Sequence, residues 1–342
     1  MKKIILLNFI AAILLANCDN DDAVFNVVLP KNDSSTLVYT QGVQLDVSSW
    51  TWKNATLDNS NSLADVPSLN GVITKDEILS GYYLLDGVYT VPEGKTLTID
   101  AGTHIEAIDD TSVYIVVKKG GKIHINGTSE NPVVIATKNG NFGGLVICGN
   151  AITSNGEDAT AEVGNLPYGG TDSTDNSGSI DYCVIKNAGA NINADSQYNG
   201  ISLYAVGSGT TINNISIADG NDDGVEFYGG SVSITNIYSA NNTDDAIDWT
   251  EGWNGTVKNA YISHTLEGFS TALEGDGPNG RPKFQNLTVI STVEGIALQF
   301  KKQSGADITN LYLEGYSFEI DMKDNGALSN VTIDGDEIVI ID

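Results

Sequence analysis

Two short acidic runs near the middle of the chain carry residue types that could bind a metal ion or transfer protons. They are NDDGVEFY (221–228) and NTDDAIDW (242–249), with acids at the same relative positions. Four of these acids are candidate calcium ligands: Asp222, Asp223, Asp244 and Asp245. Calcium prefers several oxygen ligands, which such a group supplies. The alternative is structural, because aspartates at turns commonly accept hydrogen bonds from backbone N–H groups.

The remaining two acids, Glu226 and Asp248, are candidate catalytic residues. If they lie on neighbouring parallel strands, they are about 4.8 Å apart, close to the ~5–5.5 Å between the carboxyl groups of a retaining glycosidase. Two ionised carboxylates at that distance repel by about 3–4 kcal/mol at an effective dielectric near 20. A shared proton, a bound cation or an outward splay must therefore relieve them. Any two stacked positions give the same spacing, so the distance alone does not establish catalysis.

Both runs lie within a sequence repeat of 20 to 27 residues, and this repeat predicts the fold. Each repeat corresponds to one turn of a coiled chain, here called a rung. Its markers are Asn214, Asn236, Asn259, Asn286, Asn310 and Asn330, at intervals of 22, 23, 27, 24 and 20 residues. Such intervals are typical of solenoids, and asparagine suits stacked tight turns because it tolerates a left-handed backbone. We predict an all-β, right-handed parallel β-helix over residues 81–342, with a ladder of stacked asparagines; the hand follows from the usual crossover rule.

A second strand in each rung alternates apolar and polar residues, which predicts one outward side chain per rung. The predicted outward side chains are Ser202, Glu226, Asp248, Ser270, Ala297 and Glu319. Tyr228 and Trp253 flank the acids at predicted turns and are candidates for stacking on sugar rings. Insertions at 150–178, 186–199 and 272–283 interrupt the period, and long loops on a rigid scaffold often carry recognition.

Residues 43–80 are predicted to cap the first rung. Thr74 to Glu77 has the form of a capping box, which predicts a short helix from this point. Trp50 and Trp52 are two residues apart and would share one face of a strand, packing over the open end of the core. A solenoid needs such a cover because a bare end exposes unpaired strand edges.

The N-terminus has the pattern of an export signal. Residues 1–17 contain two lysines and an apolar segment, followed by Cys18. The pattern resembles the bacterial lipoprotein signal, which implies lipidation of Cys18 and a tether over 18–42. The acidic residues 19–22 resemble the export tag of Bacteroidetes-type lipoproteins. We therefore expect an outer-membrane protein facing the cell exterior, which touches the membrane only through its N-terminal lipid.

Charge narrows the classes of partner. The 342 residues carry a formal net charge of −27, and Arg281 is the sole arginine of the chain. Such a surface repels nucleic acid and polyanionic substrates, so neutral glycans, cations and proteins remain. Cys148 and Cys183 fall on different strands of the predicted coil, the first outward and the second inward. A disulfide needs Cβ atoms about 3.5–4.5 Å apart, so we expect two free thiols, buried or half-buried.

Several motifs resemble known β-helix proteins. Gly94 to Thr103 and Gly127 to Val133 are similar to opening coils of right-handed parallel β-helices. The segments GGLVICGNA (143–151), YGGTDSTDNSGSIDYCVI (168–185) and NDDGVEFYGG (221–230) resemble surface lipoproteins of Bacteroidetes-type bacteria with this pectate-lyase-like fold, a group with no established reaction. Residues 242–244 resemble the Asn-Thr-Asp of polygalacturonases, but Gly-His-Gly is missing from the sequence.

These observations favour a surface-anchored, non-enzymatic protein that recognises a glycan or a surface protein through its β-helix, with calcium as a candidate cofactor. The first alternative is a polysaccharide hydrolase or lyase that uses Glu226 and Asp248. The second is a structural component of an envelope assembly.

Overall fold

The computed structural model describes residues 36–58, 65–193, 196–278 and 280–341. The predicted export signal, Cys18 and most of the predicted tether lie outside these residues. In the described part of the chain, no helix is long and apolar enough to cross a membrane.

Strands account for nearly all regular structure. In chain order they are β1 (Thr36–Val38), β2 (Ser68–Val72), β3 (Glu77–Leu79), β4 (Tyr82–Val91), β5 (Thr96–Asp100), β6 (His104–Ala107), β7 (Tyr114–Val117), β8 (Lys122–Asn126), β9 (Val133–Ala136), β10 (Leu145–Cys148), β11 (Ala159–Thr160), β12 (Pro167–Tyr168), β13 (Gly178–Lys186), β14 (Asn191–Asn193), β15 (Ser196–Gln197), β16 (Ile201–Tyr204), β17 (Thr211–Ala218), β18 (Val225–Tyr228), β19 (Ser233–Ala240), β20 (Ile247–Thr250), β21 (Thr256–His264), β22 (Thr271–Gly275), β23 (Lys283–Ser291), β24 (Ile296–Lys301), β25 (Ala306–Glu314), β26 (Phe318–Lys323), β27 (Val331–Ile333), β28 (Asp336–Glu337) and β29 (Val339–Ile341). Short 3-10 helices span Thr51–Asn54 and Leu328–Asn330.

Parallel pairing stacks these strands into long columns. One column runs β7, β10, β16, β18, β20, β22, β24, β26. Another runs β8, β13, β17, β19, β21, β23, β25, β27. Each rung adds a strand to every column, so the predicted all-β parallel β-helix is confirmed.

The core fills the inside of the coil with the inward residues of each rung. Phe227 and Trp249 lie on β18 and β20, adjacent strands of the first column, and are fully buried. Each buried side chain of this kind stabilises the fold by about 1.5–3 kcal/mol. Trp253 was expected at the surface, but it is fully buried and stacks on Phe227 with ring centroids 3.9 Å apart. Its indole N–H donates to the carbonyl of Val232 at 3.0 Å, which satisfies the polar atom inside the core.

The asparagine ladder is confirmed for five of its six predicted members. Asn214, Asn236, Asn259, Asn286 and Asn310 all have φ between 50° and 62°. Their amides form a chain in which each Nδ2 donates to the Oδ1 of the preceding rung, at 2.7 to 3.2 Å. The left-handed residue bends each long strand, and the hydrogen bonds between the stacked amides stabilise the bend.

Asn330 does not continue the ladder. It ends the 3-10 helix Leu328–Asn330, and its Nδ2 donates to the Gln303 carbonyl at 2.9 Å. Asp334 takes the next left-handed position instead, with φ 52°, and its Oδ1 accepts the Asn310 N–H at 2.8 Å. The amide ladder therefore ends at Asn310, because the carboxylate of Asp334 has no N–H to donate to Asn310 Oδ1.

The predicted helix after Thr74 is wrong, because this segment enters the sheet as β3. Asp76 Oδ1 accepts the N–H of Thr96 at 2.9 Å, and Leu79 is buried in register with Ile99. Core burial and strand pairing thus override the local capping signal. β2 already pairs in parallel with β4, so the coil begins before the predicted start at residue 81.

Residues 36–57 form a strap that buries Leu37 in the core beside the last strands and then runs along the side of the coil, rather than a cover over the first rung. β1 pairs antiparallel with β29, and the strap then crosses earlier rungs, where Val43 N–H donates to Asn310 Oδ1 at 2.7 Å. Trp52 packs on the outward side chains of Val134 and Val184. The predicted position of the tryptophans over the core end is therefore wrong.

The predicted insertions and the two cysteines can be compared with the structure. Residues 150–178, here called the first insertion, contain the β11–β12 hairpin, and β14–β15 form a second hairpin. The predicted third insertion begins too early, because residues 271–275 are β22. Cys148 and Cys183 are free and buried, the former outside the coil and the latter in its core, as predicted.

Candidate functional site

The outward side chains of one column form a polar row. Glu226 and Asp248 are register partners on β18 and β20, so they lie side by side as predicted. We define the outward row as Ser202, Glu226, Asp248, Glu274, Gln299 and Asp321. The row places one hydrogen-bonding or charged side chain on each of six successive rungs.

The second half of the outward row, from Glu274 to Asp321, differs from the predicted outward side chains. The register pairs Asp248 with Glu274 and not with Ser270. The turn before β22 is longer than the repeat predicted. The extra residues include Phe269, which stacks on the buried His264 with ring centroids 3.8 Å apart. Ala297 is buried in the core, and Glu319 Oε2 accepts the N–H of Leu37 in the strap at 2.6 Å.

Two of the turn acids have a structural role. Asp223 Oδ1 accepts the N–H of Asp245 at 2.8 Å, and Asp245 Oδ1 accepts the N–H and hydroxyl of Thr271, both at 2.7 Å. Each aspartate thereby fixes the turn of the next rung through one oxygen. The other carboxylate oxygen of each remains for another partner, so capping and metal binding are compatible here.

Asp222 and Asp244 are less enclosed than these two. Asp222 is half-buried, and burial followed by the charge of Asp244 raises its pKa to about 7. Asp244 is exposed. Only the more buried aspartates of the turns lie against the outward row.

Glu226 is enclosed by polar partners. Asn199 Nδ2 donates to its Oε2 at 2.8 Å, and the Tyr228 hydroxyl contacts the same oxygen. That hydroxyl also lies 2.7 Å from Oε1 of Glu162, from the first insertion. The single hydroxyl hydrogen can be donated to only one of the two carboxyl groups at a time. Burial raises the pKa of Glu226 to about 8, and it also raises the pKa of Glu162.

The next acids along the row have a lysine partner. Lys301 Nζ forms an ion pair with Glu274 Oε1. Burial opposes the charge of Lys301, but the hydrogen bond and charge of Glu274, with Asp245 and Asp248, raise its pKa on balance. The ammonium therefore compensates the acids on this side of Asp248.

Three oxygens in or beside the row are buried and have no hydrogen-bond partner among the described residues: Asp248 Oδ1, Asn199 Oδ1 and Gln299 Oε1. The side chains of Asn199 and Gln299 are each only 1% exposed. A buried polar atom without a partner costs about 1–3 kcal/mol. Burial, then the charges of Glu226 and Glu274, raises the pKa of Asp248 well above its ordinary value. Positive charge or hydrogen-bond donors at the row would relieve both effects.

The carboxylates group into sets that could hold an ion. In the first carboxylate set, Asp223, Glu226 and Asp248, one oxygen of each residue lies within 4.8 Å of the others. The second carboxylate set, Asp245, Asp248 and Glu274, meets the same criterion. A third group consists of Asp223, Asp244 and Asp245. Asp222, predicted as a ligand, belongs to none of these groups of described residues.

The first insertion forms a wall beside Glu226. Its Ala159, Val163 and Tyr168 pack with Tyr204 and Tyr228 outside the coil. Glu251 holds the insertion in place, because it accepts hydrogen bonds from Thr153, Asn155 and Tyr168. Tyr228 is only 6% exposed within this packing. It is therefore a partner of Glu226 rather than the exposed sugar-stacking residue that was predicted.

Sequence reasoning missed five residues of the site: Glu162, Asn199, Glu274, Gln299 and Lys301. The rung register could have identified Glu274 and Gln299 had the turn before β22 been aligned correctly. Glu162 and Asn199 enter from insertions, which carry no period to align.

The comparisons with known proteins agree with this architecture. Residues 71–341 match the family described as "Pectate-lyase like beta helix domain". No curated protein and no solved structure matches the chain. The match covers most of the 342 residues, so the chain belongs to the family of pectate-lyase-like β-helix domains.

Proposed function

We propose that the chain is a surface lipoprotein that recognises a glycan or another surface protein through the outward row. The observation that carries this proposal is the row itself, six polar side chains on consecutive rungs beside the wall of the first insertion. Parallel strands repeat every ~4.8 Å, so the row is evenly spaced, and its half-buried members Glu226, Asp248 and Asp321 can accept hydrogen bonds from the hydroxyls of a ligand. Anchoring at Cys18 in the outer membrane, facing the exterior, is part of the proposal.

Recognition fits the electrostatics better than hydrolysis does. A glycosidase needs one carboxyl group kept protonated and one ionised, in environments that push the two pKa values apart. Burial instead raises the pKa of both Glu226 and Asp248. Tyr228 and Asn199 also occupy one oxygen of Glu226. These shifts do not mark one member of the pair as the ionised carboxylate and the other as the acid.

Glycan arrays and pull-downs from intact cells test the proposal. We expect Asp248→Ala and Asp321→Ala, at two half-buried positions of the row, to abolish capture of the array ligand or of the surface protein. Glu314→Gln, an exposed position on β25 outside the row, serves as the matched control and should bind normally. Binding that survives both row variants would contradict the proposal.

A polysaccharide hydrolase or lyase is the second candidate, favoured by the side-by-side placement of Glu226 and Asp248. A reducing-end assay over neutral polysaccharides tests it. Product formation that Glu226→Gln or Asp248→Asn removes would replace the recognition proposal with this one. We expect no product with either the native chain or the variants.

A further inference from the structure

We infer that the first carboxylate set, Asp223, Glu226 and Asp248, binds one divalent cation, with calcium the best match. The inference concerns the charge balance of the site and holds whatever the outward row recognises. It places the ion between the turn residue Asp223 and the outward residues Glu226 and Asp248, and it leaves out Asp222, Asp244 and Asp245, which the sequence predicted as ligands.

The first step is the convergence of ligand oxygens. One carboxylate oxygen from each of the three residues lies within 4.8 Å of the other two. Calcium binds oxygen at about 2.3–2.6 Å, so two of its ligands can be at most about 4.6–5.2 Å apart. Three oxygens with these separations can all contact one ion, and water can fill the remaining positions.

The second step is the set of buried oxygens without partners. Asp248 Oδ1 is inaccessible and accepts no hydrogen bond. Asn199 is 1% exposed, and its Nδ2 is committed to Glu226 and Ser202, which leaves its Oδ1 without a partner beside the set. Buried acceptors without donors are the expected neighbours of a cation that supplies the missing positive charge.

The third step is a comparison one rung along the coil. Each residue of the first carboxylate set has an equivalent one rung further along the coil. These equivalents form the second carboxylate set: Asp245, Asp248 and Glu274. That set has Lys301 as its cation. The residue one rung before Lys301 is Asp276, which follows the paired residues Gly275 and Phe300. Among the ion pairs of the described residues, none joins a lysine or arginine to the first set.

The chemistry of the set selects the ion. Three carboxylates are hard oxygen ligands, and they favour calcium or magnesium over softer metals. Calcium accepts irregular arrangements of six to eight oxygens, whereas magnesium demands a near-ideal octahedron. Glu226 and Asp248 come from adjacent strands whose spacing is set by strand pairing, and Asp223 comes from the turn before β18. Calcium fits this arrangement with less distortion.

Calcium titration calorimetry on the full chain, after chelator treatment, tests the inference. We expect one equivalent of calcium to bind, with magnesium weaker. Terbium provides a second readout, because Tyr228 contacts Glu226 and can sensitise its luminescence. Glu226→Gln should weaken binding by more than about tenfold, since calcium affinity follows ligand charge. Asp248→Asn provides the same test if the first variant fails to fold.

Two controls separate this site from its neighbours. Glu274→Gln alters only the second set and should leave the first site able to bind. Asp244→Asn alters only the turn group and should bind normally. A loss in Asp244→Asn equal to that in Glu226→Gln would move the ion to the turn and overturn the inference. Absence of heat and luminescence with calcium, magnesium and terbium would show that protons alone neutralise the set.

Discussion

The two carboxylate sets are built by the same fold from equivalent positions, yet they differ in how their charge is balanced. The second set, Asp245, Asp248 and Glu274, has the ammonium of Lys301 bound to Glu274. The first set, Asp223, Glu226 and Asp248, has no such partner among the described ion pairs. A repeating backbone therefore repeats the geometry of a site but not its charge, which depends on single residues.

The largest expected effect comes from removing the lysine of the second set. Lys301→Met leaves three acids without compensation, and breaking a buried ion pair costs about 3–5 kcal/mol. Urea unfolding in chelator should show this loss, and added calcium should recover part of it by entering the second set. Lys302→Met is the matched control, because Lys302 is 60% exposed in its pair with Asp276. An exposed pair contributes about 0–1 kcal/mol, so equal losses would contradict the comparison.

Calcium removal should have the next largest effect. At a free concentration 100 times its dissociation constant, a ligand of the folded chain stabilises it by about 2.7 kcal/mol. We expect the melting temperature of the native chain to fall when chelator is added, and that of Glu226→Gln to change little. A melting temperature that chelator leaves unchanged would argue against an ion in the first set.

Stability without calcium should decrease as the pH rises. Burial raises the pKa of Glu226 from an ordinary 4.5 to about 8, and that of Asp222 from 3.8 to about 7. A raised acid pKa gives a stability contribution that is complete below the unfolded pKa and lost as pH rises through the folded one. Each proton that the folded chain retains contributes up to about 1.4 kcal/mol per pH unit in that window.

Urea midpoints between pH 5 and 8.5, with chelator or calcium, measure this effect. Calcium should flatten the decline, because it replaces the protons in the first set and binds more tightly as they leave. Identical declines with and without calcium would separate the acids from any metal site.

The smallest expected effect is at the turn. Asp244 is exposed, and exposed substitutions usually change stability by less than about 0.5 kcal/mol. Asp244→Asn should therefore unfold at nearly the same urea concentration as the native chain. Asp245→Asn is the comparison variant and should unfold at a lower urea concentration, because Asp245 Oδ1 accepts hydrogen bonds from both the N–H and the hydroxyl of Thr271. A larger loss at Asp244 than at Asp245 would contradict the distinction between the exposed and buried turn acids.

The fold could be predicted from the sequence because its signals repeat. Each ladder asparagine is followed by apolar residues at fixed spacing, and five of them have the left-handed backbone that the repeat requires. The errors occur where a local signal met a non-local partner. Thr74 to Glu77 looks like a helix start, but Leu79 is drawn into the core beside Ile99. Asn330 keeps the interval, but Asp334 occupies the ladder position.

The site was less predictable than the fold. Glu226 and Asp248 could be paired because rungs of similar length separate them. Glu274 was missed because the turn before β22 has extra residues, including Phe269 on His264. Lys301 could not be identified from the sequence, since nothing there joins it to an acid 27 residues earlier. Charge balance in a solenoid depends on contacts between rungs, and a wrong register conceals them.

Anomalous diffraction from crystals soaked in calcium or terbium tests the central claim most directly. We predict one anomalous peak, between the carboxylates of Asp223, Glu226 and Asp248, and none beside Lys301. A peak among Asp223, Asp244 and Asp245, or no peak near any of these acids, would contradict the account.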